Sequence, residues 1–154
     1  MIFKILLYLK FNSTIYAHIG ICAAKKRYKM NSAKIFKSLS DQTRLRIFRT
    51  LLEAGTELCI CEIMDILQAK QYNISKHIKE LKIYGLVKER KMGKFVFYKV
   101  AVEKGPFRKN IVKTLLSIHE NIFDNDIKRL KKRLSLRING NVVVTLPKLC
   151  TERH

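Results

Sequence analysis

The stretch that decides the fold is Cys59-Ile60-Cys61-Glu62-Ile63-Met64-Asp65-Ile66-Leu67-Gln68-Ala69-Lys70-Gln71-Tyr72-Asn73-Ile74-Ser75-Lys76-His77-Ile78-Lys79-Glu80-Leu81. Ile63, Ile66 and Leu67 give a short helix an inward face, and a break follows at Gln68-Ala69-Lys70. Ile74, Ile78 and Leu81, at i, i+4 and i+7, then define a second amphipathic helix that ends before Gly85. Two short helices across a three- or four-residue joint form the helix-turn-helix pattern. Burying that Ile and Leu face leaves Gln71, Tyr72, Asn73, Ser75, Lys76 and Lys79 outward. Most of these side chains bond base edges or phosphates, although a solvated helix face would look the same in isolation.

The flanking sequence favours nucleic acid. Downstream, Leu86 to Lys91, Met92-Gly93-Lys94 and Phe95 to Val100 read as two strands about a glycine turn, with Arg90, Lys91 and Lys94 near the tip. A basic two-stranded wing directly after a helix-turn-helix places cations beside phosphates or the minor groove. Upstream, Ile35, Phe36 and Leu39 mark one helix face. Ser40-Asp41 caps the next helix, in which Leu45, Ile47, Phe48, Leu51 and Leu52 form a broad apolar stripe ended by Gly55. Beyond Gly105-Pro106 a long helix is expected, with Ile111, Leu115, Ile118 and Ile122, then Ile127, Leu130 and Leu134 after a slip in register. That stripe needs a partner, and pairing across a two-fold axis would set two recognition helices on adjacent major grooves.

The expected class is therefore mainly α (α+β): a winged helix-turn-helix with a two-stranded β-wing and a long C-terminal dimerisation helix. At 154 residues and 47% hydrophobic content the chain suits one domain. Thirty-two Lys and Arg against twelve Asp and Glu give a formal charge of +20, which favours polyanions. Residues 30–134 hold the expected DNA-binding domain and 135–154 a tail, with a small hairpin about Asn139-Gly140. Residues 1–29 read as an upstream extension, with Met30 as the expected true start. Their apolar run is broken by Lys4, Lys10, Asn12 and His18, which makes a poor membrane span.

Four cysteines, Cys22, Cys59, Cys61 and Cys150, do not form a disulfide framework, and a reduced cytoplasmic setting fits them. Two thiols one residue apart are a soft ligand pair, suited to zinc, cadmium, lead, copper(I), arsenic(III) or antimony(III) and not to magnesium or calcium. On a regular helix, residues two apart point about 200° from each other. Chelation of one ion by both is therefore expected to use or create a distortion at the helix start. Oxidant or sulfur chemistry at the same thiols is the alternative. No glycine-rich phosphate loop, carboxylate pair or nucleophile elbow suggests an enzyme.

Residues 33–100 resemble the ArsR/SmtB family of winged-helix metal-responsive repressors. The resemblance rests on Leu39-Ser40-Asp41 to Ile47, on Glu57-Leu58-Cys59-Ile60-Cys61-Glu62-Ile63, on Gln71 through Ile78, on Leu81 to Val87, and on Gly93 to Tyr98. It implies a homodimer that occupies a double-stranded DNA operator without metal and leaves it when metal binds Cys59 and Cys61. It implies that the helix from Gln71, His77 included, reads DNA beside the wing. It also implies that the first and last helices form the dimer interface, here through Ile35, Phe36, Ile111, Leu115, Ile118 and Ile122. Some arsenic-responsive members carry a third cysteine three residues after the second, where this chain has Met64, so Cys150, with Cys22 or an external thiol as alternative, is the expected third ligand. A zinc-type site on the last helix would need paired acids and histidines that His119, Glu120, Asp124 and Asp126 do not reproduce. Arsenite or antimonite is the expected effector, with cadmium, lead or zinc as alternatives and no constitutive cofactor.

Overall fold

The computed structural model describes residues 32–93, 95–101, 105–140 and 142. Cys22, Lys94, Cys150, the N-terminal extension and the tail hairpin beyond Val142 lie outside the described residues. Helix α1 (Ser32–Leu39) buries Ile35 and Leu39. Asp41 then caps α2 (Gln42–Ala54), its carboxylate accepting from Arg44 N at 2.9 Å. Gly55 ends that helix at φ 60°, a left-handed position that a Cβ disfavours. The short strand β1 (Leu58–Cys59) leads directly into α3 (Ile60–Leu67), and α4 (Gln71–Ile83) follows.

The wing consists of β2 (Val87–Met92) and β3 (Phe95–Val100), antiparallel, with Val87 opposite Val100 and Met92 opposite Phe95. The expected two strands are present, and β1 adds a third on the far side of β3, giving the order β1-β3-β2. Leu58 lies opposite Tyr98 and Cys59 opposite Phe97. The thiol sequence thus belongs to the same sheet as the wing, which helical periodicity alone does not reveal.

The single long C-terminal helix is corrected to two, α5 (Pro106–Leu116) and α6 (Asn121–Ser135). The slip in the apolar register is a break at 117–120, where Ser117 N bonds back to the carbonyls of Lys113 and Thr114. The break redirects Phe123, Asp126, Leu130 and Arg133 onto α2 and α3, where all four are buried. Asp126 accepts two hydrogen bonds of 2.8 Å from Arg46 and another from Arg129. Both guanidiniums also donate to the last carbonyls of α3, Arg46 to Leu67 O at 3.1 Å and Arg129 to Ile66 O. Carbonyls that a helix end leaves unpaired are thereby satisfied from α6.

The core lies where α2, α3 and α4 meet. Ile47, Leu58, Ile63, Ile66, Ile74 and Leu81 are fully buried there, each worth roughly 1.5–3 kcal/mol relative to exposure. Among the described residues no helix is long and apolar enough to cross a membrane.

Candidate thiol site and nucleic-acid interface

Cys59 is the residue at which a strand becomes a helix. Its backbone is extended (φ −77°, ψ 161°), and its sulfur accepts from Glu62 N at 3.4 Å as the N-cap of α3. Glu62 reciprocates, its Oε2 accepting from Cys59 N at 2.8 Å. This is a capping box with a thiol in the place usually taken by Ser or Thr. Cys61 lies in the first turn, and its side chain hydrogen-bonds with that of Cys59. That bond is the main cause holding the Cys59 thiol below its usual range. Glu62 N helps, while burial and the Glu62 carboxylate oppose.

The expectation concerned a distortion at the helix start on binding, and the start of α3 is where the structure places the pair. Cys59 is not on the regular helix, so the 200° divergence does not apply, and the N-cap turn itself juxtaposes the sulfurs. Neither sulfur is in a disulfide. Cys59 is 0% exposed and Cys61 9%, and they cluster with Phe97, Ile60, Phe95 and Val142. Met64, one turn beyond Cys61, is a core residue at 1% exposure and offers only a thioether. Among the described residues no group of three or more His, Cys, Asp or Glu side chains stands ready to hold a metal ion. A three-thiolate set would therefore need a donor from beyond these residues.

Three residues of this site escaped the sequence reading. Glu62 is fully buried, and Arg137 meets it with two hydrogen bonds, of 2.8 Å to Oε1 and 2.7 Å to Oε2. Arg137 also donates to Glu57 O at 2.7 Å. Glu57 in turn binds Arg90 at 2.6 Å and Lys99 at 2.9 Å, and these cations hold its carboxyl below the ordinary range. The Cys59-x-x-Glu62 spacing was the available signal for Glu62. Arg137 carried none, since it lies 75 residues away from Glu62 in the chain.

On α4, Gln71, Tyr72, Asn73, Ser75, Lys76 and Lys79 are all exposed, Tyr72 by 76%. Ile74 and Ile78 are buried behind them. His77 departs from the set: it is half-buried and faces the α2 cap, Nδ1 lying 3.3 Å from Asp41 Oδ1. It braces α4 against α2 and is not presented with the other polar residues. Arg90 departs too. Besides Glu57, it sits over the Phe97 ring at 5.4 Å from the centroid, so its cation is drawn back toward the thiol cluster. Lys91 is exposed near the tip.

Of the residues expected to face a second copy, Ile35, Ile111 and Leu115 are buried within the protomer, at 3%, 8% and 8% exposure. Ile118 and Ile122 are half-buried. Phe36 remains 57% exposed and meets Phe107 edge to face at 5.8 Å between centroids. These two rings flank an apolar groove of about 430 Å³ between α1 and α5, lined also by Leu39, Leu45, Ile111 and Ile118.

Residues 41–89 match the family described as bacterial regulatory protein, arsR family. The chain is similar to an arsenic resistance transcriptional regulator of Pseudomonas putida, with 33% identity over 97 residues, covering 63% of this chain and 84% of the relative. It is 42% identical over 73 residues to a homolog of the cadmium resistance transcriptional regulatory protein in Staphylococcus aureus, covering 47% of this chain and 60% of the relative. It is 43% identical over 68 residues to the arsenical resistance operon repressor of Escherichia coli, covering 44% and 57%. The match thus spans under two thirds of the cadmium regulator and of the E. coli repressor.

Proposed function

From the premise that this chain belongs to the arsR family of bacterial regulatory proteins, we propose that it is a repressor that leaves its operator when arsenite or antimonite is captured by Cys59 and Cys61. The observation that carries this reading is the meeting of two thiols at the N-cap of α3, one element ahead of the exposed polar face of α4. Soft, trivalent metalloids match a thiolate donor set. The arsenic-resistance regulators among the relatives support the same choice, and the cadmium regulator keeps cadmium, lead and zinc as alternatives.

Cys150 is the proposed third donor. The chain returns to the thiol cluster at Val142, and the eight residues from there to Cys150 reach at most about 26–29 Å at ~3.3–3.6 Å each. Cys22 is the alternative. The face of α4 with Lys91 and Lys94 is the proposed DNA contact, and the groove between α1 and α5 the proposed homodimer face.

The coupling is mechanical. A ligand drawn onto both sulfurs competes with Glu62 N for Cys59 Sγ, and any shift of that sulfur acts on the cap of α3 and on the pairing of Cys59 with Phe97 on β3. Both α3 and β3 support the DNA-reading surface. Coupling of about 1–3 kcal/mol would weaken the operator complex 5- to 150-fold.

The test is binding of the reduced protein to its own upstream DNA, titrated with arsenite, antimonite, cadmium and zinc, beside Cys59→Ser/Cys61→Ser and Cys150→Ser variants. Arsenite should release the parent and not the double variant. Release by cadmium alone would shift the effector, and indifference to every ion would remove the metalloid reading. The lowered Cys59 thiol favours a second reading, oxidant or sulfur sensing. Release by peroxide or persulfide, with a modified Cys59 or Cys61 in the mass spectrum, would select it.

A further inference from the structure

A thiol pair that captures a ligand from solution has to be reached, yet these sulfurs are 0% and 9% exposed. The segment following α6 forms part of their cover. Leu136 ends α6, and Arg137 inserts its guanidinium beneath the first turn of α3. Asn139 and Gly140 then take successive positive φ values of 51° and 76°. Positive φ at both central residues is the pattern of a type I′ reversal. The reversal returns the chain, and Val142 packs on Cys59, Cys61 and Phe97.

One side chain fastens this segment. Arg137 is 11% exposed, Glu62 is 1% exposed, and the guanidinium's third contact is Glu57 O, two residues before Cys59. A two-pronged pair of this kind is directional as well as charged. Its carboxylate partner is the same Glu62 that caps Cys59 N. The latch and the thiol cap therefore share one carboxylate, and a movement of Cys59 disturbs both.

We propose that Arg137 is a latch that holds residues 137–140 and Val142 against the thiol pair, so that a thiophilic ligand reaches Cys59 and Cys61 only as Arg137 leaves Glu62. Arg137 is thus a positioning residue for effector capture. The proposal rests on the reading of Cys59 and Cys61 as the sensing thiols. Ligand capture and release of the C-terminal segment are one event, and a reagent that cannot displace the latch is excluded from the site.

The test uses the full chain with Cys22→Ser and Cys150→Ser, so that only the pair reports, and follows native alkylation by iodoacetamide. Parent, Arg137→Gln and Glu62→Gln/Arg137→Gln proteins are compared. The double variant leaves no buried charge unpaired, and Gln at 62 retains the reciprocal cap. Both variants should alkylate at least about tenfold faster, the change that ~1.4 kcal/mol of latch opening produces. In Arg137→Gln, losing a cation that interacts with Cys59 would by itself slow the reaction, so acceleration of that variant reports access; in the double variant the loss of the Glu62 carboxylate acts the other way, so a rate that stays unchanged there counts all the more against a latch. A rate in the double variant within about twofold of the parent, less than ~0.5 kcal/mol, overturns the proposal.

The second arm cleaves the protein with an arginine-specific protease and reads the Arg137–Ile138 bond by mass spectrometry. Alkylation of the pair should expose that bond, and so should arsenite on the natural sequence. If alkylation exposes it and arsenite does not, the latch stands and the metalloid reading fails. If fully alkylated protein still protects the bond, the latch fails whatever the effector.

Discussion

At the residue scale Cys59 caps α3, and the soft-ligand role proposed for it is separable from that cap. Serine supplies a better capping oxygen but no soft donor, and alanine supplies neither. Cys59→Ser should therefore keep the stability of the parent within about 0.5 kcal/mol, while Cys59→Ala loses about 1 kcal/mol, both having lost the effector response. Urea denaturation measures the difference, and equal stabilities would mean that the 3.4 Å contact with Glu62 N is not a cap. Glu57 provides a pH signature. Its carboxyl is held below the ordinary range by Arg90 and then Lys99. The unfolded chain thus takes up this proton at higher pH than the folded one. Its contribution is present above the ordinary carboxylate range and is lost as pH falls through the lowered folded value. The pairs are largely solvated, so the contribution is under about 1 kcal/mol. Urea midpoints of the parent and Glu57→Gln should differ at neutral pH and converge in acid, and a gap that persists in acid would locate the effect elsewhere.

At the scale of elements, α6 is docked by charge as much as by its apolar stripe. Asp126 is 2% exposed and receives both Arg46 and Arg129, which themselves satisfy the end of α3. Asp126→Ala leaves two guanidiniums without their carboxylate. The expected loss is about 3 kcal/mol, the lower end for breaking a buried pair, because Arg46 and Arg129 keep 17% and 36% side-chain exposure. Thermal or urea denaturation reads this directly. A loss below about 1 kcal/mol, the range of exposed pairs, would mean that α6 is held by Phe123 and Leu130 alone. This docking also explains why the C-terminal apolar stripe divides. The part from Phe123 onward serves the protomer's own core, which leaves α1 and α5 as the pair with an open groove.

At the scale of the molecule, two properties govern behaviour: a formal charge of +20 and the apolar groove beside Phe36. The charge makes any DNA complex strongly salt-dependent through counterion release. The groove is the proposed homodimer face. Phe36→Asp alters a side chain that is 57% exposed in the protomer, so it should change protomer stability by no more than about 0.5 kcal/mol. It should nevertheless convert a dimer to monomer in sedimentation velocity and weaken operator binding by loss of the second half-site contact. A dimer that persists would move the interface away from α1 and α5.

The sequence by itself determined the helix-turn-helix, the wing and the exposed face of α4, because each rests on local periodicity and turn chemistry. Ile74, Ile78 and Leu81 can share a face in only one secondary structure, and Gly55 and Gly93 mark ends that local sterics impose. The proximity of Cys59 and Cys61 in the chain likewise identified the candidate donors. Only the tertiary structure decided how those donors meet. The N-cap geometry of Cys59, the strand pairing with Phe97, the division of the last helix and the Glu62–Arg137 pair depend on segments tens of residues apart. His77 and Arg90 were read as DNA contacts, and only the tertiary structure shows that each also has an acidic neighbour, Asp41 for the half-buried His77 and Glu57 for the exposed Arg90. Short-range steric preferences are written into a few consecutive residues, whereas a buried ion pair forms only where folding excludes water from two distant groups at once.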